Sequence, residues 1–188
     1  MSKATVKSPV KEQRQTGSGS HSAPDATGAE TRAQPNRMPG VTPHLVVDGA
    51  AKAIAFYEKA FGAKEMARLE GPDGKMWHAC VEIAGSPVML VDEFPDMGSL
   101  GPKARKGTSV TIHLNVPDAD ALAERAVAAG ATLIMPVADA FWGDRYGQIE
   151  DPFGHRWSIA THVRDMTFDE IKAAMPTMAE CGGATSKD

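Results

Sequence analysis

Two six-residue segments of this chain, 69 residues apart, nearly coincide: Thr42-Pro43-His44-Leu45-Val46-Val47 and Thr111-Ile112-His113-Leu114-Asn115-Val116. Thr, His, Leu and the final Val match in place. Each segment alternates apolar and polar residues as a half-buried strand does. Each is followed by a stretch rich in small residues with helical periodicity, and then by a Gly-Ala pair, Gly62-Ala63 in the first copy and Gly130-Ala131 in the second. Two copies are too few for a solenoid, so the repeat predicts one domain made of two paired modules.

The order of elements within each copy follows from local signals. A strand is expected over 41–47, with Leu45 and Val47 on one face and Thr42, His44 and Val46 on the other. Asp48 or Gly49 should cap a helix whose stripe is Ala50, Ile54, Tyr57 and Phe61, and Gly62 should stop it. Strands over 64–69, 75–83 and 87–91 follow, separated by Pro72-Asp73-Gly74 and Ala84-Gly85-Ser86. A Pro-, Gly- and Lys-containing loop over 93–107 leads to the second copy. There a strand over 108–116 precedes a helix capped by Asp118 and ended by Gly130, then strands near 132–136, 145–150 and 155–161. Thr167 and Glu170 stand at capping-box spacing before a last helix over 167–175.

Composition bounds the rest. Residues 1–40 hold almost no large apolar side chains, and a segment of that kind is expected to stay disordered. The ordered domain is expected over 41–163, with modules at about 41–92 and 108–163, and residues 164–188 form a C-terminal helix and tail. The chain of 188 residues is 42% hydrophobic and 23% charged with a net charge of −4, values usual for one globular domain. That balance gives no basic footprint for nucleic acid, and no apolar run is long enough for a membrane span. Cys80 and Cys181 are the two cysteines, with no CxxC pair, which fits a reducing cytoplasm.

Phe56-Tyr57 with Phe61-Gly62-Ala63, the run 141–147 (Phe-Trp-Gly-Asp-Arg-Tyr-Gly) and the run 151–157 (Asp-Pro-Phe-Gly-His-Arg-Trp) resemble the signatures of the vicinal-oxygen-chelate (glyoxalase/bleomycin-resistance/dioxygenase) superfamily, in its PhnB-like branch. The resemblance spans roughly 41–163. It implies an α+β fold of two βαβββ modules forming an incomplete eight-stranded barrel, one four-stranded half-cup per module, with a ligand cavity on the concave side and a homodimeric assembly. In enzymes of that kind the first and last strands of each module supply His, Glu or Gln ligands to a divalent metal. Anchoring the modules on Phe56-Tyr57 and Val116 places those positions at Thr42, Thr111, Ser158 and near Met89. Neutral hydroxyl and thioether groups are poor ligands for hard or borderline divalent ions, so neither the usual metal nor another cofactor is expected.

Several residues are candidates for chemistry. His44 and His113 share a face with the anchored positions, and could form a shifted metal site with Glu150, or be buried histidines bonded to neighbours. His78 lies two residues from Cys80, where a Cys–His pair is conceivable and ordinary strand packing is the simpler reading. Trp142, Asp144, Arg145 and Tyr146 could hold a planar or cationic molecule. Equally, the tryptophans could be core or interface anchors and Asp144 could pair with Arg145. Asp151-Pro152-Phe153-Gly154 reads as a β-turn, and the acidic loop 92–97 as a solvated rim. The leading functional reading is a metal-free small-molecule binder using His44, His113, Trp142, Asp144, Arg145, Tyr146, Glu150 and Ser158. The alternatives are a metal-dependent lyase or dioxygenase using His44, His113 and Glu150, and a dimeric scaffold module.

Overall fold

The computed structural model describes residues 40–176. The first module consists of β1 (His44–Val47), α1 (Ala50–Phe61), β2 (Lys64–Glu70), β3 (Met76–Ile83) and β4 (Ser86–Asp92). A 3-10 turn (Pro95–Met97) and a four-residue helix, α2 (Pro102–Arg105), lie within the segment expected to be a connecting loop. The second module repeats the order as β5 (Thr111–Asn115), α3 (Ala119–Ala129), β6 (Thr132–Asp139), β7 (Asp144–Glu150) and β8 (Arg156–His162). A final helix, α4 (Phe168–Ala174), follows. Its capping box is complete: Thr167 N–H donates to Glu170 Oε2 at 2.7 Å, and the Thr167 hydroxyl accepts from Glu170 N–H. The tail expected over 1–40 lies, apart from Gly40, outside the described residues, as does Cys181. Among the described residues no helix is long and apolar enough to cross a membrane.

The strands form two four-stranded sheets with orders β1-β4-β3-β2 and β5-β8-β7-β6. Each sheet pairs its first and last strands in parallel and the rest antiparallel. The fold is α+β, and the eight strands do not close into a barrel. Alternation assigns the faces. Leu45, Val47, Val81, Leu90, Leu114, Ile149, Trp157 and Ile159 are buried in one core with residues of α1 and α3. His44, His113, Tyr146 and Ser158 fall on the opposite phase of their strands.

The cap of α1 differs from the local expectation. Gly49 occupies the N-cap with φ of 98°, and no side chain nearby in sequence bonds to the helix end. Asp92, 43 residues further on, does so instead: its Oδ1 accepts from Gly49 N–H at 3.0 Å and Ala50 N–H at 2.6 Å. Its Oδ2 accepts from Met76 N–H at 2.7 Å. One carboxylate from the end of β4 thus satisfies two of the free donors every helix start leaves and ties α1 to β3. In the second module Asp118 caps α3 locally, accepting from Ala121 N–H at 2.9 Å.

The modules are joined through a buried aromatic cluster of Phe56, Tyr57, Phe61, Phe153 and Trp157, with ring centroids 4.8–6.4 Å apart. Asp151, 3% exposed, lies at its centre. Its Oδ2 accepts from the Tyr57 hydroxyl at 2.7 Å and Trp157 Nε1–H at 2.9 Å. Its Oδ1 accepts from the backbone N–H groups of Phe153 and His155, each at 2.9 Å. The Asp-Pro-Phe-Gly segment is a turn, as its composition suggests, and it is also a clasp between the two modules. Arg125 of α3 adds a second link, donating to the free carbonyl of Ala60 near the end of α1 at 2.8 Å.

Candidate functional site

Strand register decides which side chains meet. The parallel pairing of β5 with β8 sets His113 opposite Ser158, and the antiparallel pairing of β8 with β7 sets Ser158 opposite Gln148. In the first module the matching row is His44, Met89 and Cys80. The residues in register with Met89 and Ser158 are therefore the two histidines, whereas the sequence anchors pointed to Thr42 and Thr111. Thr42 precedes β1, and Thr111 pairs with Arg156.

His113 is fixed by two partners. Its Nδ1 lies 2.8 Å from Ser158 Oγ and its Nε2 lies 3.1 Å from Asn115 Oδ1. A carboxamide oxygen only accepts, so Nε2 carries the proton and Nδ1 accepts from the Ser158 hydroxyl in the neutral ring. Ser158 is 3% exposed, and the Asn115–His113–Ser158 row is a hydrogen-bonding ladder. Tyr146 lies near-parallel to the His113 ring, 6.3 Å between centroids and 19° between planes. Trp142 meets Tyr146 edge-on at 5.2 Å, and Gln148 Nε2–H donates to the Tyr146 hydroxyl at 2.9 Å.

Asp144 holds the Trp142 indole in place, its Oδ2 accepting from Nε1–H at 2.9 Å, while Oδ1 lies 2.9 Å from His162 Nδ1. The other ring nitrogen of His162 lies 2.9 Å from Asp165 Oδ1. Hydrogen bonding to Asp144, then to Asp165, raises the His162 pKa above its usual 6.5. Because the folded value exceeds the unfolded one, the stabilisation is complete below the unfolded pKa and is lost as pH rises through the folded value. An NMR titration is expected to place His162 above 6.5 and to return it toward 6.5 in Asp144→Asn; a wild-type value at or below 6.5 would contradict the relay.

Arg145 does not join this cluster. Strand alternation turns it to the other face of β7, where it forms a two-pronged pair with Asp120 of α3, both contacts 2.6 Å, and reaches Asp139 at 2.9 Å. The pairing of Asp144 with Arg145 weighed from the sequence is replaced by Asp144–His162 and Arg145–Asp120. Glu150 lies one row from His113, opposite Arg156 and 3.7 Å from its guanidinium. Gln148 occupies the place in the His113 row where a carboxylate was sought. Sequence reasoning passed over Gln148 and Asn115, although the period-two pattern Tyr146, Gln148, Glu150 placed all three on one face.

The corresponding face of the first module has a different character. His44 and His78 meet edge to face at 6.3 Å, and burial, then the nearby His78, lowers the His44 pKa. Cys80 is buried, its Sγ 3.9 Å from Met66 Sδ. Burial pushes its thiol pKa up, the reverse of an activated nucleophile. Among the described residues no group of three His, Cys, Asp or Glu is placed to hold a metal ion.

Paired βαβββ modules, each with its first and last strands parallel, define a two-module α+β fold. Residues 37–159 match the family model of the Glyoxalase/Bleomycin resistance protein/Dioxygenase superfamily. The chain belongs to this superfamily. It is 51% identical over 148 residues to the uncharacterized protein Rv0887c of Mycobacterium tuberculosis, covering 77% of this chain and 87% of that protein. Among solved structures it is similar to the product of Arabidopsis thaliana At5g48480, with a TM-score of 0.54, 28% identity, and coverage of 66% of this chain and 99% of that one. It is also similar to TioX from Micromonospora sp. ML1, with a TM-score of 0.52, 26% identity, and coverage of 66% and 100%.

Proposed function

We propose that this protein binds a planar or cationic small molecule against the concave face of its second module, as a bleomycin-resistance-like, PhnB-like member that lacks the usual metal centre. The observation that carries this reading is His113, whose two ring nitrogens are both taken by Ser158 and Asn115. A metal at the first- and last-strand positions would draw on His44, Met89, His113 and Ser158. That set offers two imidazoles, a thioether and a hydroxyl with no carboxylate, and it does not fit a hard or borderline divalent ion. Trp142 and Tyr146 supply an aromatic wall; Asp144 beside it and Glu150 two rows along the same face supply carboxylates, shared with His162 and Arg156. Gln148 and Asn115 supply polar edges. His44 lies on the first module, and Arg145 acts from behind the sheet by bracing β7 against α3.

The protein is proposed to work as a homodimer in the cytoplasm. Supporting the dimer, the outer strands leave Met66, Leu69, Leu133, Ile134 and Met135 42–59% exposed, a concentration of apolar side chains that favours burial against another surface. The scaffold alternative rests on the same strands, and the metal-enzyme alternative on His44, His113 and Glu150.

Protein purified without added metal is expected to carry well under one equivalent. Excess Zn²⁺, Ni²⁺ or Mn²⁺ is expected to move the melting midpoint by no more than about 1 °C, whereas an ion at 100-fold its Kd would add about 2.7 kcal/mol. Planar cations should raise the midpoint and quench Trp142, and sedimentation equilibrium should give twice the chain mass. A stoichiometric metal lost in His113→Ala would sink this reading in favour of the metal enzyme. A dimer with no response to small molecules would favour the scaffold.

A further inference from the structure

A cavity lies where the two sheets approach along their first strands. It has a volume of about 810 Å³ and is lined from both β1 and β5, with Trp157 among the lining residues. The volume falls within the range of pockets that hold drug-sized molecules. Leu45, Ile83, Val88, Leu114 and Trp157 bring core-facing apolar surface to it. Polar groups come from His44, His113, His155, Asn115, Ser86 and Thr111. Among the described residues that line it, none is Asp, Glu, Lys or Arg.

None of these polar groups carries a fixed charge, and each can form hydrogen bonds. His155 donates Nε2–H to the Val46 carbonyl at 3.1 Å, which leaves Nδ1 as the acceptor in its neutral ring. His113 is held in one tautomer by Ser158 and Asn115, and burial favours the neutral form of His44. A charged ligand entering this space would lose hydration without gaining a counter-charge. An uncharged one would gain apolar contact and keep its hydrogen bonds.

We propose that the cleft between β1 and β5 is a binding site for an uncharged, mainly apolar ring compound carrying one or two hydrogen-bonding groups. This cleft lies on the β1/β5 side of the Trp142–Tyr146 wall and shares His113 and Asn115 with it. The two sites select on opposite grounds: carboxylates beside the wall favour a cation, and the cleft excludes ions of either sign.

The test uses two fluorescent probes with the same ring system, N-phenyl-1-naphthylamine and its sulfonated counterpart 8-anilinonaphthalene-1-sulfonate, titrated into the full chain. The uncharged probe is expected to saturate at one per chain. The sulfonate is expected to bind at least ~10-fold more weakly, because its charge finds no partner. Thr111→Trp and Ser86→Phe, both at exposed lining positions, should each fill the cleft and weaken the uncharged probe by ~10-fold or more. Two variants guard against misfolding of one, and each is checked by its melting curve. Equal binding of both probes, or binding kept in both folded cleft variants, would overturn the proposal. Binding kept in these variants but lost in Tyr146→Ala would assign the probe to the aromatic wall. Probe binding that vanishes as the protein dimerises would show the cleft to be filled by a second copy, which also overturns it. Failure here leaves the aromatic-wall reading standing, since that reading is tested with cationic probes.

Discussion

Replacing Asp151 by alanine is expected to cost about 4 kcal/mol and to lower the melting midpoint by roughly 12–16 °C. The carboxylate is 3% exposed and accepts four hydrogen bonds, from Tyr57, Trp157 and the Phe153 and His155 backbone. Alanine leaves all four donors without a partner in a site closed to water, and each such donor carries a desolvation penalty. Two of them come from opposite modules, Tyr57 from α1 and Trp157 from β8, so the loss also loosens the packing between modules. Burial and Asp151 push the Tyr57 hydroxyl pKa well above 10, so it remains a donor across the working pH range. Asp151→Asn should cost about half as much, since one oxygen still accepts from the turn while its amide faces the Tyr57 and Trp157 donors. Urea unfolding of both variants against wild type is the measurement. A midpoint for Asp151→Ala within error of wild type would mean that the aromatic cluster and the Arg125–Ala60 bond suffice to join the modules.

Gly143→Ala is expected to cost about 3 kcal/mol and to release Trp142 from Tyr146. Gly143 has φ of 100°, a backbone state that L side chains rarely adopt. A Cβ there would also collide with the backbone carbonyl of Arg164 and lie 3.3 Å from Met166 Cγ. The Gly143 carbonyl accepts from the N–H groups of Val163 and Arg164 at 3.1 and 2.9 Å, so the segment after β8 is fastened to this one residue. Relief of the clash would move the loop that carries Trp142 and Asp144 on either side of it. The readouts are a melting midpoint lower by about 10 °C and a red-shifted tryptophan emission as the indole gains water. Loss of stability with unchanged emission would separate the strain from the aromatic wall and show that Asp144 alone holds Trp142.

Much of the architecture is legible in the sequence alone. The 69-residue repeat announced two modules, and the Gly-Ala pairs marked both helix ends. Asp118 and the Thr167–Glu170 box were readable because a cap and its helix are three residues apart. Of the residues proposed as a site from the sequence, His113, Ser158, Trp142, Asp144 and Tyr146 come together in the second module. His44 lies on the first, Glu150 stands a row away, and Arg145 turns to α3.

What the sequence determined by itself was whatever local chemistry encodes: periodicity, caps, turns and the existence of the repeat. The tertiary structure decided which distant atoms complete those local requirements. Asp92 caps α1 from 43 positions away, His113 meets Ser158 across 45, and Asp151 receives Tyr57 across 94. Spacing along a strand fixes which face a side chain takes. The register between strands is fixed only when two sheets and two helices pack as one core, because a slip by one residue would expose every buried side chain at once.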